Sequence, residues 1–297
     1  MPIPTSYLPA ILSLVAVGMW GTSDFLGGLG ARCAKAFLFT TLVHVGAMVF
    51  AGTLALALGS PVPAMNAVLW SLAAGAVGGF GVALFYRALA IGKMGLIAPL
   101  SAVLAAGIAT VVAAFTEGLP DLRHLSGFLL AGIGVWLISR TENKNGDTGA
   151  PPVQNGTGAG VSRPKGLGLA ILAGCGFAGF FLCVHRAGNA SPLCIALFSR
   201  VGSFVVTLAA ASASRELRAV PRRVLAIAAA TGILDVTGTI VFVRASQIGR
   251  LDAAVVLSSL YPAVTVILAS IFLHERFSRS RTIGMLAALA AVPMIAG

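Results

Sequence analysis

Apolar runs of membrane-spanning length, parted by short polar breaks, recur along the whole chain. A helix needs about 20 mostly apolar residues to cross the hydrocarbon core of a bilayer. Ten segments meet or approach that length: 8–29, 37–58, 68–88, 95–116, 124–139, 167–186, 193–212, 224–243, 253–273 and 282–297. The fifth and tenth are the short ones. Pro61, Pro63, Pro120, Pro192 and Pro221 mark breaks, while Pro99 and Pro262 fall inside spans, where neighbouring helices must satisfy the freed carbonyls. Residues 140–166 alone lack an apolar period and are rich in Gly, Pro, Asn and Thr, the composition of a flexible linker. They divide the chain into two units, 1–139 and 167–297, of five spans each.

The two units repeat one another. With a constant offset of 157, Phe85, Arg87, Ala88, Ile91, Gly92, Leu100, Ser101, Phe115 and Gly127 fall on identical residues between Phe242 and Gly284. A gap-free echo of this length indicates a duplicated unit. Five is an odd number, so each unit ends on the side opposite to its start, and the second must enter the membrane inverted relative to the first. The expected fold is therefore an all-α integral membrane protein of ten transmembrane helices, built as two inverted five-helix repeats.

Composition agrees with that pattern. The 297 residues are 58% hydrophobic and only 10% charged, with a mean hydropathy of +0.96; a soluble domain carries about 25% charged residues. The net charge of +11 would suggest a nucleic-acid partner in a soluble protein. Here it reflects basic residues gathered in loops on one side of a bilayer, and no nucleic-acid partner is expected. Fifteen Lys and Arg residues fall on the linker side and four on the other, Arg200 lying inside a span. That bias predicts a cell (inner) membrane protein with a cytoplasmic linker and both termini outside. The apolar run from Leu8 is too long for a cleavable signal. Cys33, Cys175, Cys183 and Cys194 show no metal-ligand spacing and read as small apolar side chains.

Polar side chains within spans are costly, about 2.5–3.5 kcal/mol for Asp or Arg at a helix centre on insertion scales, and so face a bundle interior. In the first span Trp20, Asp24 and Gly27 share a face with Ser13. Asp24 either lines a substrate or proton path or, about 8 Å of helix rise from the span's end, is wetted there or paired with Arg32. Asp235 stands near the middle of the eighth span on a face with Thr231, Gly238 and Thr239, and Arg200 in the seventh shares one with Ser203 and Thr207. The two could pair for structure alone, or Asp235 could titrate while Arg200 holds an anionic group. His44 is either a proton relay or a hydrogen-bonded interior residue. Ser258, Tyr261 and Thr265 line a face of the ninth span, offering hydrogen bonds to a ligand or between helices. Tyr86 and Arg87 close the third span as interfacial anchors, and Gly75, Gly78, Gly79 and Gly81 permit close helix contact. The expected substrate pathway is thus Trp20, Asp24, His44, Arg200, Asp235, Ser258 and Tyr261.

No phosphate-binding loop, H-E-x-x-H zinc motif or other cofactor signature is present in the sequence. A membrane-embedded enzyme would want polar clusters at one interface, which these short loops lack. A passive channel or structural protein would fit the hydropathy without requiring the inverted repeat. Trp20-Gly21, the paired units, Pro262, and Leu273-His274-Glu275-Arg276-Phe277 followed by Gly284 resemble the drug/metabolite transporter superfamily, EamA type. Glu117-Gly118-Leu119 and Gly127 match the first half more loosely. The resemblance implies a secondary carrier, often an exporter of amino acids, other metabolites or drugs, with a central cavity between the halves. Many relatives keep their termini in the cytoplasm, opposite to the charge bias here. The expected partners are a small-molecule substrate and the lipid bilayer, with proton coupling suggested by the acids; the chain is a monomer or a homodimer.

Overall fold

A computed structural model describes residues 7–92, 94–116, 118, 119, 121–139 and 166–273, with isolated positions between 280 and 294. The expected linker, Glu117, the acidic hairpin at 274–277 and nearly all of the tenth span lie outside the described residues. Within them the fold is all-helical. The first five helices are α1 (Leu8–Cys33), α2 (Ala36–Ala57), α3 (Met65–Ile91), α4 (Met94–Thr116) and α5 (Leu122–Ser139). They are followed by α6 (Leu167–Arg186), α7 (Pro192–Ala213), α8 (Arg222–Ile248), α9 (Leu251–Ser258) and α10 (Tyr261–Leu273). Among the described residues seven helical segments are long and apolar enough to cross a membrane, α9 and α10 together making one of them, and Leu100–Thr116 in α4 is a shorter apolar stretch.

Pro262 decides how the expected ninth span is built. Proline supplies no backbone N–H for the carbonyl four residues before it, and the helix breaks at Ser259-Leu260. The chain turns through tighter closures, Leu260 N–H to Leu257 O at 3.2 Å and Ala263 N–H to Leu260 O at 2.9 Å, before α10 resumes. A single straight helix over 253–273 is thus corrected to two, with Tyr261 opening the second. Pro192, placed in a loop by the sequence reading, is instead the first residue of α7, where a missing N–H costs nothing.

The packing is that of a bundle in lipid. Leu56, Phe115, Leu122 and Phe272 stand exposed on the outside, whereas glycine, alanine and small polar residues hold the helices together, as expected where lipid removes any hydrophobic drive between helices. Gly75 of α3 lies on the Ser199 backbone of α7, and Gly202 of α7 lies on Leu72 of α3. The α2–α8 contact is made the same way, with Gly232 over Val43 and Gly46 over Ala229. The other main contacts join α1 to α8, α3 to α6, α4 to α6, and α1 to α9 and α10.

Contacts between loops sort the helix ends into two groups. At the end where α6 begins, the Glu216 carboxylate accepts the N–H groups of Phe37 at 3.0 Å and Leu38 at 3.3 Å. At the opposite end, Gln247 donates to the carbonyls of Gly188 and Ala190 at 3.0 and 2.8 Å. There too Arg250 donates to Gly118 O at 3.1 Å and grips Asp252, at 3.1 Å from Nε and 2.9 Å from Nη2.

Candidate functional site

Helices α1, α3 and α4 from the first half of the chain, and α6, α7, α8 and the α9–α10 break from the second, converge on one cavity. Its wall takes Trp20 and Asp24 from α1, Gly78 and Val82 from α3, and Ala102 and Ala105 from α4. Phe177, Phe180 and Phe181 enter from α6, Arg200 from α7, Asp235 and Thr239 from α8, and Ser259 and Tyr261 from the α9–α10 break. It offers about 60 Å³ to water-sized centres. One water needs about 10–15 Å³ on that measure, so the space holds several waters or one small organic group.

Glycines set the wall's shape. A side chain on Gly78 would collide with Phe180, one on Gly238 with Trp20, and one on Gly27 with the ring of Tyr86. Each glycine lets a ring lie flat against the opposing helix. Trp20 thereby joins Phe242, centroids 5.3 Å apart, and Phe181 at 6.1 Å, and its indole N–H donates to the Asp235 main-chain carbonyl at 3.1 Å. That bond anchors α1 on α8 beside the charges.

Arg200 and Asp235 form a buried ion pair at 3.2 Å, the residues being only 3% and 8% exposed. Arg200 also donates to Thr239 Oγ1, whose hydroxyl donates in turn to Asp235 O at 3.0 Å. The guanidinium is thereby tied to one helix by a carboxylate and a hydroxyl, while its Nε has no hydrogen-bond partner among the described residues. Arg200 and Asp235 are thus paired across α7 and α8.

Asp24 is half-buried on the same wall. Helix α1 runs on to Cys33, which puts Asp24 about 14 Å of helix rise from its end, deeper than the apolar run suggested. No ion pair to Arg32 forms among the described residues; instead Asp24 is within electrostatic reach of Asp235, Tyr86 and Tyr261. Tyr261, 5% exposed, presents a hydroxyl with no partner among the described residues.

Five of the seven expected pathway residues therefore share this wall: Trp20, Asp24, Arg200, Asp235 and Tyr261. His44 and Ser258 do not. Both are fully buried, and neither the His44 ring nitrogens nor Ser258 Oγ has a partner among the described residues; His44 lies within electrostatic reach of Arg200. Tyr86 corrects the sequence reading. It is 1% exposed, not an interfacial anchor, and its hydroxyl lies 3.5 Å from Ser23 Oγ, which donates to Thr231 O at 3.1 Å. The aromatic wall of α6 went unnoticed in the sequence, although Phe177 and the Phe180-Phe181 pair at spacing i, i+3, i+4 were its visible trace.

A solved crystal structure shares this fold: it superposes with a TM-score of 0.68 over 96% of this chain and 95% of its own, at 18% identity. No curated protein matches the chain. Residues 164–297 match the EamA-like transporter family. An all-helical chain with several apolar spans, whose second half carries that match, is a multi-pass membrane protein. That half is similar to the EamA-like transporter family, part of the drug/metabolite transporter superfamily.

Proposed function

We propose that the chain is a secondary active transporter of a small metabolite, working by alternating access and running as an exporter in the cell inner membrane. The observation that carries this reading is the cavity itself. A space for a small organic group, lined by ionisable side chains and reached by helices from both units, is what a midplane binding site between two rocking halves requires. Ionisable side chains in membrane spans are costly enough that function is their ordinary reason.

Ten spans arranged as two inverted units, 1–139 and 167–297 joined by a linker at 140–166, complete the proposal. The helix contacts support it. Exchanging α1 with α6, α2 with α7, α3 with α8, and α4 with the α9–α10 pair turns α3–α6 into α1–α8, α3–α7 into α2–α8 and α4–α6 into α1 with α9 and α10, and leaves α2–α7 as itself. The close glycine contacts exchange too. Gly75 and Gly232 stand 157 residues apart, the offset of the repeat, and Gly46 and Gly202 stand 156 apart.

Proton coupling belongs to the same proposal. Asp235 is committed to Arg200, so Asp24 is the carboxylate free to exchange a proton against substrate. Compounds that accumulate in cells lacking the protein identify candidate substrates. In proteoliposomes loaded with such a compound, labelled uptake should rise against the internal load and with an imposed proton gradient. Asp24→Asn should lose the response to the gradient. Uptake indifferent to the internal load would mean a channel and would overturn the carrier reading.

A further inference from the structure

The charges on the cavity wall do not cancel. One guanidinium, Arg200, faces two carboxylates, Asp235 and Asp24. Asp235 holds Arg200 at 3.2 Å and Thr239 takes a second contact, so the cation is already engaged. Asp24 has no hydrogen-bond or ion-pair partner among the described residues. A lone, half-buried carboxylate in a mostly apolar space attracts a cation that displaces solvent from it.

Two further features of the wall point to the same ligand. Tyr261 lines the cavity, and its buried hydroxyl has no partner among the described residues. It can accept a hydrogen bond from an ammonium. The same wall carries Trp20, Phe177, Phe180 and Phe181, and aromatic faces carry the negative side of a quadrupole that attracts cations and packs against flat apolar bodies.

We propose that the cavity selects organic monocations: an ammonium on an aromatic or apolar body, bearing no carboxylate. The ammonium sits between Asp24 and the Tyr261 hydroxyl, and the body lies on the rings of α1 and α6. A carboxylate added to such a molecule meets Asp24 and Asp235, and it gains Arg200 only by breaking the buried pair. The inference rests on the carrier reading and names its substrate class.

The test is binding without any gradient. The purified chain in lipid nanodiscs is titrated calorimetrically, with empty discs subtracted, using four compounds of one shape: 2-phenylethylamine, neutral 2-phenylethanol, phenylalanine and 3-phenylpropionate. The amine should bind at least about tenfold tighter than each of the others, the scale of one desolvated charge–charge or cation–π contact. Asp24→Asn should abolish that preference while leaving 2-phenylethanol binding in place, which also reports a folded cavity; Asp24→Glu should keep the preference. Undetectable amine binding, phenylalanine or 3-phenylpropionate binding as tight as the amine, or a preference that survives Asp24→Asn overturns the inference. Counterflow carried by an anion or a zwitterion overturns it while the carrier reading stands. Amine-selective binding without counterflow sustains it and removes the carrier reading.

Discussion

At the scale of single residues, the energetics turn on which charges are compensated. Arg200 and Asp235 are both nearly fully buried and 3.2 Å apart. Removing one member of such a pair strands the other in a low dielectric and costs about 3–5 kcal/mol, whereas replacing both with apolar groups is often nearly neutral. Arg200→Leu should therefore lower the unfolding midpoint in detergent by that scale, and the double variant Arg200→Leu/Asp235→Leu should recover most of it. A double variant no more stable than Arg200→Leu would mean the pair carries no such coupling. Outside the membrane, the exposed Asp121 caps α5. Its Oδ1 accepts the His124 N–H at 2.8 Å and lies 2.6 Å from His124 Nδ1. These bonds to His124 hold the Asp121 carboxyl below its ordinary value. A carboxylate so lowered helps the folded helix above the ordinary aspartate range, and that help fades as pH falls through the lowered value. Titration followed by NMR should place the Asp121 midpoint below that of an exposed aspartate, and His124→Ala, which keeps the backbone N–H, should move it only part of the way back up. A native midpoint at the ordinary aspartate value would remove the cap.

At the scale of elements, glycine governs how closely the helices approach. The α3–α7 and α2–α8 contacts bring backbone against backbone at Gly75 and Gly232, where an added methyl would strike the Ser199 or the Val43 carbonyl. Backbone cannot step aside as a side chain can, so overpacking costs about 1–3 kcal/mol. Gly75→Ala and Gly232→Ala should each lower stability by that amount, and by similar amounts if the two units are related by a two-fold axis. Thermal unfolding of the two variants in one detergent compares them; a large loss at one site with none at the other would argue against equivalent contacts. The α9–α10 break shows a different logic. Ser101 of α4 is buried and donates to Ile97 O at 3.1 Å and Ala170 O at 2.9 Å, while its repeat counterpart Ser258 ends α9, buried and without a partner among the described residues. Two serines 157 residues apart thus differ in partnership, one bridging α4 to α6 and the other standing unbonded at a helix break.

At the scale of the molecule, orientation sets which face of the cavity meets the cytoplasm. Loops on the side where α6 begins hold most of the basic residues, and such loops stay in the cytoplasm. A single cysteine placed between positions 145 and 160, in a background lacking Cys33, Cys175, Cys183 and Cys194, should react with an impermeant maleimide only after cells are opened. Labelling of intact cells would reverse the orientation and the direction assigned to transport.

Much of this protein could be read from the order of its residues. The spans were legible because apolar length against bilayer thickness is a local property, and nine of the ten expected segments coincide with described helices, the ninth broken in two. The ionisable positions Asp24, Arg200 and Asp235 were legible because a charge within an apolar run is conspicuous without any knowledge of what faces it. Partnership was not, since it depends on which helices meet. Packing of α7 on α8 and of α1 on α8 joined Arg200 to Asp235 and left Asp24 alone. The same packing drew Tyr86 into the interior over Gly27 and kept His44 and Ser258 off the cavity wall. Helical periodicity tells which residues share a face, and only tertiary contact tells what that face sees.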